Sequence, residues 1–330
     1  MEQHRRRILF DTNVWANIAE NNQVERVRGA AREHGVHVIA CPAVVYEILR
    51  STDPILRKRD LLAVTQRAWI RPMSEIYQQA EQLRQQIERR HPEWLEPNPD
   101  LRQWHHLYWD WKGDHKPSRG LAGGFWWRAR HRPQFQTQIL EIAESGRMDE
   151  ARESYKAARP ASGDNPFEQT VLADSVTRFE IPTPGWKGDT FASWRMEGLA
   201  QWWHGLFNEP ERPVHREWLG PFLDLDKLRM DRAGWVRLWV YELEASDVPL
   251  EWLSWAFMIV SSKRRFTSGT PGDCQIGLYL ADCEEFATCD KAFSAIVRKV
   301  AAEAPCPLAE PVLLPDDHTC AEALVEMFSR

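Results

Sequence analysis

Both ends of this chain alternate between short apolar runs and helical patterns, and this alternation is what most restricts its fold. Near the start, Ile8 to Phe10 and residues 36–40 are typical of buried strands, and each precedes a helical pattern. Near the end, residues 285–289 and 310–315 are typical of strands between further helical stretches. Strands joined through helices pair in parallel. We therefore predict an α/β fold with a central parallel sheet.

The helical patterns at the two ends are marked by capping residues and by apolar residues three and four positions apart. "AWIRP" (68–72) adds a short fifth strand to the prediction. The clearest helices are predicted at residues 42–50, 73–90, 273–283, 291–304 and 320–328.

The middle of the chain has a different character, because all of the 17 tryptophans except Trp15 and Trp69 lie there. Its helical patterns alternate with loops rich in proline and glycine rather than with strands. We predict an α/β domain made of residues 1–92 and 256–330, interrupted by a Trp-rich helical insertion, residues 93–255. Helices within the insertion are predicted at residues 135–158, 191–207 and 223–245.

Composition excludes several classes of protein. The net charge of −6 argues against a protein that coats nucleic acid through overall positive charge. The six cysteines form no Cys-x-x-Cys pair, so neither a zinc knuckle nor a redox motif is indicated and reduced thiols are expected. No apolar run is long enough for a membrane span or a signal peptide. We expect a cytoplasmic protein without a membrane partner.

Three acidic residues stand where a strand ends or a helix begins, and a fourth lies in the helix that follows the second strand. Parallel sheets bind ligands in the crevice at the carboxyl ends of their strands. Carboxylates gathered there repel one another, which raises their pKa values unless a cation neutralises them. Mg²⁺ or Mn²⁺ suits such a site, because hard cations prefer carboxylate and water oxygens. The residues are Asp11, Glu47, Asp273 and Asp290.

The segments that carry these acids resemble the acidic motifs of PIN-domain nucleases. They are "ILFDTNVW" (8–15), "CPAVVYEILR" (41–50), "GDCQIGLYLA" (272–281) and "EFATCDKAF" (285–293). Their order agrees with that family, although the long insertion departs from its usual spacing. The resemblance implies a three-layer fold around a parallel sheet of about five strands.

The resemblance also implies a function. It makes Asp11, Glu47, Asp273 and Asp290 both the ligands of Mg²⁺ or Mn²⁺ and the catalytic residues of an endoribonuclease. Asn13 and Thr288 would be hydrogen-bonding groups behind those ligands. The substrate class would be RNA, single-stranded or structured. The insertion would either shape substrate access or dock a protein partner, such as the antitoxin of a toxin–antitoxin pair.

Each feature also has a simpler interpretation. Asn13 or Thr12 can merely cap a helix, and a catalytically inactive PIN-like scaffold would keep the fold without the chemistry. A phosphatase of the haloacid-dehalogenase type would need a second Asp where Asn13 stands. Basic residues that would contact nucleic acid lie in "SSKRRF" (261–266) and "GGFWWRARHRP" (123–133), although for the aromatic residues of the latter a core position is favoured. These basic residues are Lys263, Arg264, Arg265, Arg128 and Arg130.

Overall fold

The computed structural model describes residues 6–113, 116, 123–132, 136, 165–171, 190–208, 214–262 and 270–330. At its centre is a parallel sheet of four strands in the order β2-β1-β5-β6. Two further short strands, β3 and β4, pair antiparallel with each other. The strands are β1 (Arg7–Phe10), β2 (His37–Ile39), β3 (Thr170–Val171), β4 (Phe191–Ala192), β5 (Glu285–Thr288) and β6 (Glu310–Leu313). The α/β prediction with a central parallel sheet is confirmed.

The expected fifth strand is reduced to a single bridging residue, so the described sheet has four strands rather than about five. The Ile70 amide donates to the Val38 carbonyl over 2.9 Å, and its carbonyl accepts from the Ala40 amide over 2.9 Å. The next amide needed for a parallel ladder belongs to residue 72, which is proline and has no N–H to donate. Pro72 therefore stops the pairing after one residue.

Helices surround the sheet and fill most of the rest of the described chain. Many begin at an acidic cap, as at Asp53, whose carboxylate accepts from the Ile55 and Leu56 amides. A five-residue π-helix, Leu238–Glu242, continues directly from one of them. The helices are α1 (Thr12–Glu20), α2 (Val24–Glu33), α3 (Pro42–Leu49), α4 (Pro54–Val64), α5 (Glu75–Arg90), α6 (Arg102–Lys112), α7 (Phe125–His131), α8 (Ser193–Phe207), α9 (Val214–Trp218), α10 (Leu225–Met230), α11 (Arg232–Arg237), α12 (Pro249–Ser262), α13 (Thr270–Leu278), α14 (Lys291–Ala301) and α15 (Cys320–Ser329).

The helix predicted at residues 223–245 is divided by Asp231. Its carboxylate accepts from the Gly234 amide, which caps α11, and from the Trp94 indole over 3.1 Å. The chain therefore restarts at Asp231 instead of continuing α10. The helix predicted at residues 191–207 is confirmed as α8 after two strand residues, whereas the one predicted at 135–158 lies outside the described residues apart from Gln136.

One buried apolar cluster runs through both the sheet layers and the Trp-rich region. Helix α12 joins them, because it packs against α13 and α14 on one side and α8 on the other. The largest fully buried side chains include Trp15, Trp94, Trp126, Trp202, Trp235 and Trp239. These rings are part of the core, as the sequence favoured for this region.

Two expectations from composition can be compared with the structure. All six cysteines are free thiols, as predicted. None of the helices in the described ranges has the combined length and apolar character that crossing a bilayer requires.

Candidate active site

Asp11 is held at the carboxyl end of the central strand β1. Its amide donates to the Ala287 carbonyl over 2.9 Å, which extends the pairing with β5 by one residue. Its carboxylate accepts from the Thr12 amide at Oδ1 (2.7 Å) and from the Thr288 hydroxyl at Oδ2 (2.6 Å). Asp11 therefore caps α1 itself, a role that the sequence analysis gave to Asn13 or Thr12. The side chain is only 3% exposed.

Thr288 connects two of the four acids. It ends β5, is fully buried, and its hydroxyl donates to Asp11 while accepting from the Asp290 amide over 3.0 Å. The Asp290 carboxylate in turn accepts from the Ala292 and Phe293 amides over 2.6 and 2.9 Å, and so caps α14. The hydrogen bond from Thr288 to Asp11 is the contact expected of a group behind a ligand.

Glu47 approaches from the last turn of α3. Its Oε2 accepts from the Thr12 hydroxyl over 2.5 Å, so the residue after Asp11 holds the second acid in place. Gly272, in the first turn of α13, lies against the same carboxylate: a Cβ at this position would be 3.4 Å from Glu47 Cδ and Oε2. The α1, α3 and α13 segments therefore meet around Glu47.

Asp273 follows Gly272 in the first turn of α13 and is partly buried. Its pKa is raised from the ordinary 3.8 to about 8, mainly by burial and then by the charges of Glu47, Asp11 and Asp290, in that order. Thr12 contacts both Asp11 and Glu47, Thr288 contacts Asp11 and Asp290, and Gly272 beside Asp273 lies against Glu47, so the four acids share one neighbourhood. They come from segments that are up to 279 positions apart in the sequence.

Burial also affects the pKa values of Asp11 and Glu47. The pKa of Asp11 is raised to about 7, because burial and the Glu47 charge outweigh the lowering effect of the Thr288 hydrogen bond. Burial also raises the pKa of Glu47, while the Thr12 hydroxyl and the Arg50 charge lower it. At neutral pH such a cluster keeps protons that ordinary carboxyl groups would have released.

The chemistry of the donor set suits a hard divalent cation, since every side chain in it offers carboxylate oxygens. A ligand cage is not already assembled, because among the described residues no three His, Cys, Asp or Glu side chains are arranged to hold a metal ion. Two of the acids instead accept threonine hydroxyls, Asp11 from Thr288 and Glu47 from Thr12. Binding of a cation would require the carboxylates to draw together.

The remaining predicted site residues do not join the four acids. Asn13 is exposed in the first turn of α1 and, within the described ranges, makes no side-chain hydrogen bond to them. Arg128 pairs with both carboxylate oxygens of Asp110, at 2.5 and 2.6 Å. Arg130 donates to the Thr65 hydroxyl over 2.8 Å and to the Thr65 carbonyl. Both guanidinium groups thus hold α7 against its neighbours. Lys263, Arg264 and Arg265 lie outside the described residues.

Sequence reasoning missed two supporting residues. Thr12 was considered only as a cap, yet its hydroxyl orients Glu47. Glu75 was not considered, yet its carboxylate accepts from Gln275 (3.2 Å) and from the Tyr279 hydroxyl (2.9 Å), which ties α5 to the segment that carries Asp273. The position of Thr12 next to Asp11 could have identified it as a supporting residue. No local feature of the sequence identifies Glu75.

Comparison with models of protein families, with curated proteins and with solved structures finds no match to this chain.

Proposed function

We propose that this protein is a metal-dependent nuclease of the PIN type, an endoribonuclease that hydrolyses phosphodiester bonds in single-stranded or structured RNA. One observation carries the proposal: Asp11, Glu47, Asp273 and Asp290 come from four separate segments that Thr12, Thr288 and Gly272 bring together at one end of the sheet. A scaffold has no need to gather four mutually repelling carboxylates at the carboxyl ends of its strands. The four motifs that resemble PIN nucleases support the choice of reaction and of RNA.

In this proposal Asp11, Glu47, Asp273 and Asp290 hold Mg²⁺ or Mn²⁺. The cation would supply an activated water and would stabilise charge on the phosphoryl oxygens. The chain's own groups position the ligands. Thr288 fixes Oδ2 of Asp11, and Thr12 fixes Oε2 of Glu47. Asp273 keeps a proton at neutral pH in the cation-free protein, so cation binding releases it.

Cleavage of RNA tests the reaction. The protein is incubated with RNA and Mn²⁺ or Mg²⁺ beside Asp11→Asn and Asp273→Asn, with Asp226→Asn as the matched control because Asp226 is exposed on α10. We expect each site variant to lose more than about 100-fold in rate, since even residues behind a ligand cost 10- to 100-fold. The control is expected to keep the wild-type rate. Cleavage that persists in chelator or in both site variants would refute the nuclease.

Thermal melting separates the enzyme from the alternative, an inactive PIN-like protein that acts through its helical insertion. A cation that binds the folded state raises the melting temperature. The enzyme is expected to respond to Mn²⁺, and Asp273→Asn to lose that response. An unchanged melting temperature in Mn²⁺ would favour the scaffold, for which exposed rings such as Trp109 and Tyr241 offer contacts to a protein partner.

A further inference from the structure

A large open cavity lies at the opposite end of the sheet from the four acids. It has a volume of about 1220 Å³ and is lined by residues along α2, by the loop into β2, and by residues 328–330 at the end of α15. Its wall includes Arg6, which precedes β1, and His37, which begins β2. Since β1 has four residues, the two sites are separated by about 13 Å of strand. The cavity is therefore a second site.

The lining carries more basic than acidic groups, although the net charge of the protein is −6. Two glutamates, Glu25 and Glu33, oppose the basic groups. The basic lining residues are Arg6, Arg28, Arg32, His34, His37 and Arg330. A local excess of positive charge on an acidic protein attracts an anion.

Some of these groups are committed and others are available. Arg6 is fixed in the wall, because it donates to the Met327 carbonyl over 2.6 Å and pairs with Glu285 over 3.7 Å. Arg330 pairs with Glu326 over 3.2 Å. Arg28 pairs with Glu25, an exposed contact that a stronger anion can replace. Arg32 and His34 are exposed, and in the described part of the chain neither side chain makes an ion pair or a hydrogen bond. These two are the groups best placed to receive a ligand.

The cavity is open beside α2. A Cβ added at Gly29 would meet no atom within 4 Å, so this glycine leaves room rather than allowing close packing. The two aromatic residues in the wall, Trp69 and Phe328, are only 5% and 3% exposed and offer little surface for stacking. Recognition of a ligand here depends on charge.

We propose that this cavity binds the terminal phosphate of a nucleotide, either a free nucleotide or the phosphorylated end of an RNA strand. The planar fork of arginine matches phosphate oxygens in pairs. A terminal phosphate carries close to two charges and so gains more from this lining than a carboxylate or an internal phosphodiester. The volume exceeds what one phosphate needs and accommodates a nucleotide. This proposal does not depend on the proposed nuclease activity, since the cavity contains none of the four acids.

Titration calorimetry of the full chain, in low salt with chelator so that RNA stays intact, tests the proposal. The ligands are a nucleoside triphosphate, a short RNA with a 5′-phosphate, the same RNA with a 5′-hydroxyl, and polyglutamate. Arg32→Glu is compared with Arg26→Glu, which makes the same charge change on α2 outside the cavity. Gly29→Trp, which fills the space, is compared with Gly29→Ala, which leaves it open.

We expect the triphosphate or the 5′-phosphorylated RNA to bind, and Arg32→Glu and Gly29→Trp to weaken that binding by about tenfold or more. Arg26→Glu and Gly29→Ala should bind as the wild type does. Tighter binding of the triphosphate identifies a free nucleotide, and a preference for 5′-phosphate over 5′-hydroxyl identifies an RNA end. The proposal is overturned if neither binds, if Arg32→Glu changes nothing, or if polyglutamate or the 5′-hydroxyl RNA binds equally well. Because Arg32 is exposed, its variant remains informative even where Gly29→Trp fails to fold.

Discussion

Replacing Asp11 with Asn is expected to stabilise the cation-free protein at high pH and not at low pH. The pKa of Asp11 rises from 3.8 to about 7 in the folded chain. The folded protein therefore keeps this proton over a range in which the unfolded chain has released it. Stability contributed by the protonated group is fully present below pH 3.8 and is lost as the pH rises toward 7. Asn carries no charge at any pH and escapes this loss.

The shift sets the size of the effect. Each pKa unit corresponds to about 1.4 kcal/mol, so a rise from 3.8 to about 7 amounts to about 4 kcal/mol. Asn loses one of the two hydrogen bonds that the carboxylate accepts, from Thr12 or from Thr288, at a cost of about 1 kcal/mol. We expect a net gain of about 3 kcal/mol at pH 8.5, or about 4 °C in melting temperature for a chain of this length. Near pH 4 the variant should equal the wild type or be about 1 kcal/mol less stable.

Denaturation with urea at pH 4 and pH 8.5, in chelator and followed by tryptophan fluorescence, measures the difference. Asp226→Asn is the matched control, because the same change at an exposed position should alter stability by less than about 0.5 kcal/mol at both pH values. If the stability difference between the variant and the wild type is the same at both pH values, the folded protein does not disfavour the ionised form of Asp11. The carboxylates at this end of the sheet would then not form a cluster that disfavours their ionisation.

Two predictions concern the supports of the helices behind the site. The buried Glu251 carboxylate accepts from the Trp202 indole over 2.7 Å, and burial raises its pKa to about 7. In urea denaturation, Trp202→Phe should therefore cost about 1.5–3 kcal/mol at pH 8.5, where the acceptor is ionised, and about 1 kcal/mol less at pH 5.5, where it is protonated. A loss that is the same at both pH values, as expected for the control Trp203→Phe, would contradict this. A Cβ at Gly277 would lie 2.5 Å from the buried ring of Phe257, so Gly277→Ala should destabilise α13 against α12 by about 1–3 kcal/mol, and unchanged stability would show that this contact relaxes freely.

Local patterns were sufficient to predict the strands of the sheet and the positions of the acids. Apolar runs that end in a polar residue identify β1 and β5, because a buried strand needs apolar side chains on both faces. The same runs place Asp11 and Asp290 at one edge, since parallel strands share their direction. What the sequence could not provide was the hydrogen bond from Thr12 to Glu47, which joins segments 35 positions apart.

Where prediction failed, a distant partner decided the local structure. Asp231 interrupts a stretch with helical periodicity, and its carboxylate also accepts from Trp94, 137 positions away. Glu75 supports the Asp273 segment through Tyr279, 204 positions away. Neither pairing leaves a signal within a window of ten or twenty residues. The short strand at Ile70 is different, because Pro72 was visible in the sequence and its missing amide explains the single bridge.

The hydrogen bond from Thr288 to Asp11 spans 277 positions, and this has a consequence during synthesis. At about 5–20 residues per second, a ribosome needs about 15–55 s to go from Asp11 to Thr288. During that interval the first strand exists without the central neighbour that completes its acidic edge. A nascent or truncated chain that stops short of residue 288 therefore lacks the assembled pocket, and any chemistry there begins only after residue 288 has been added.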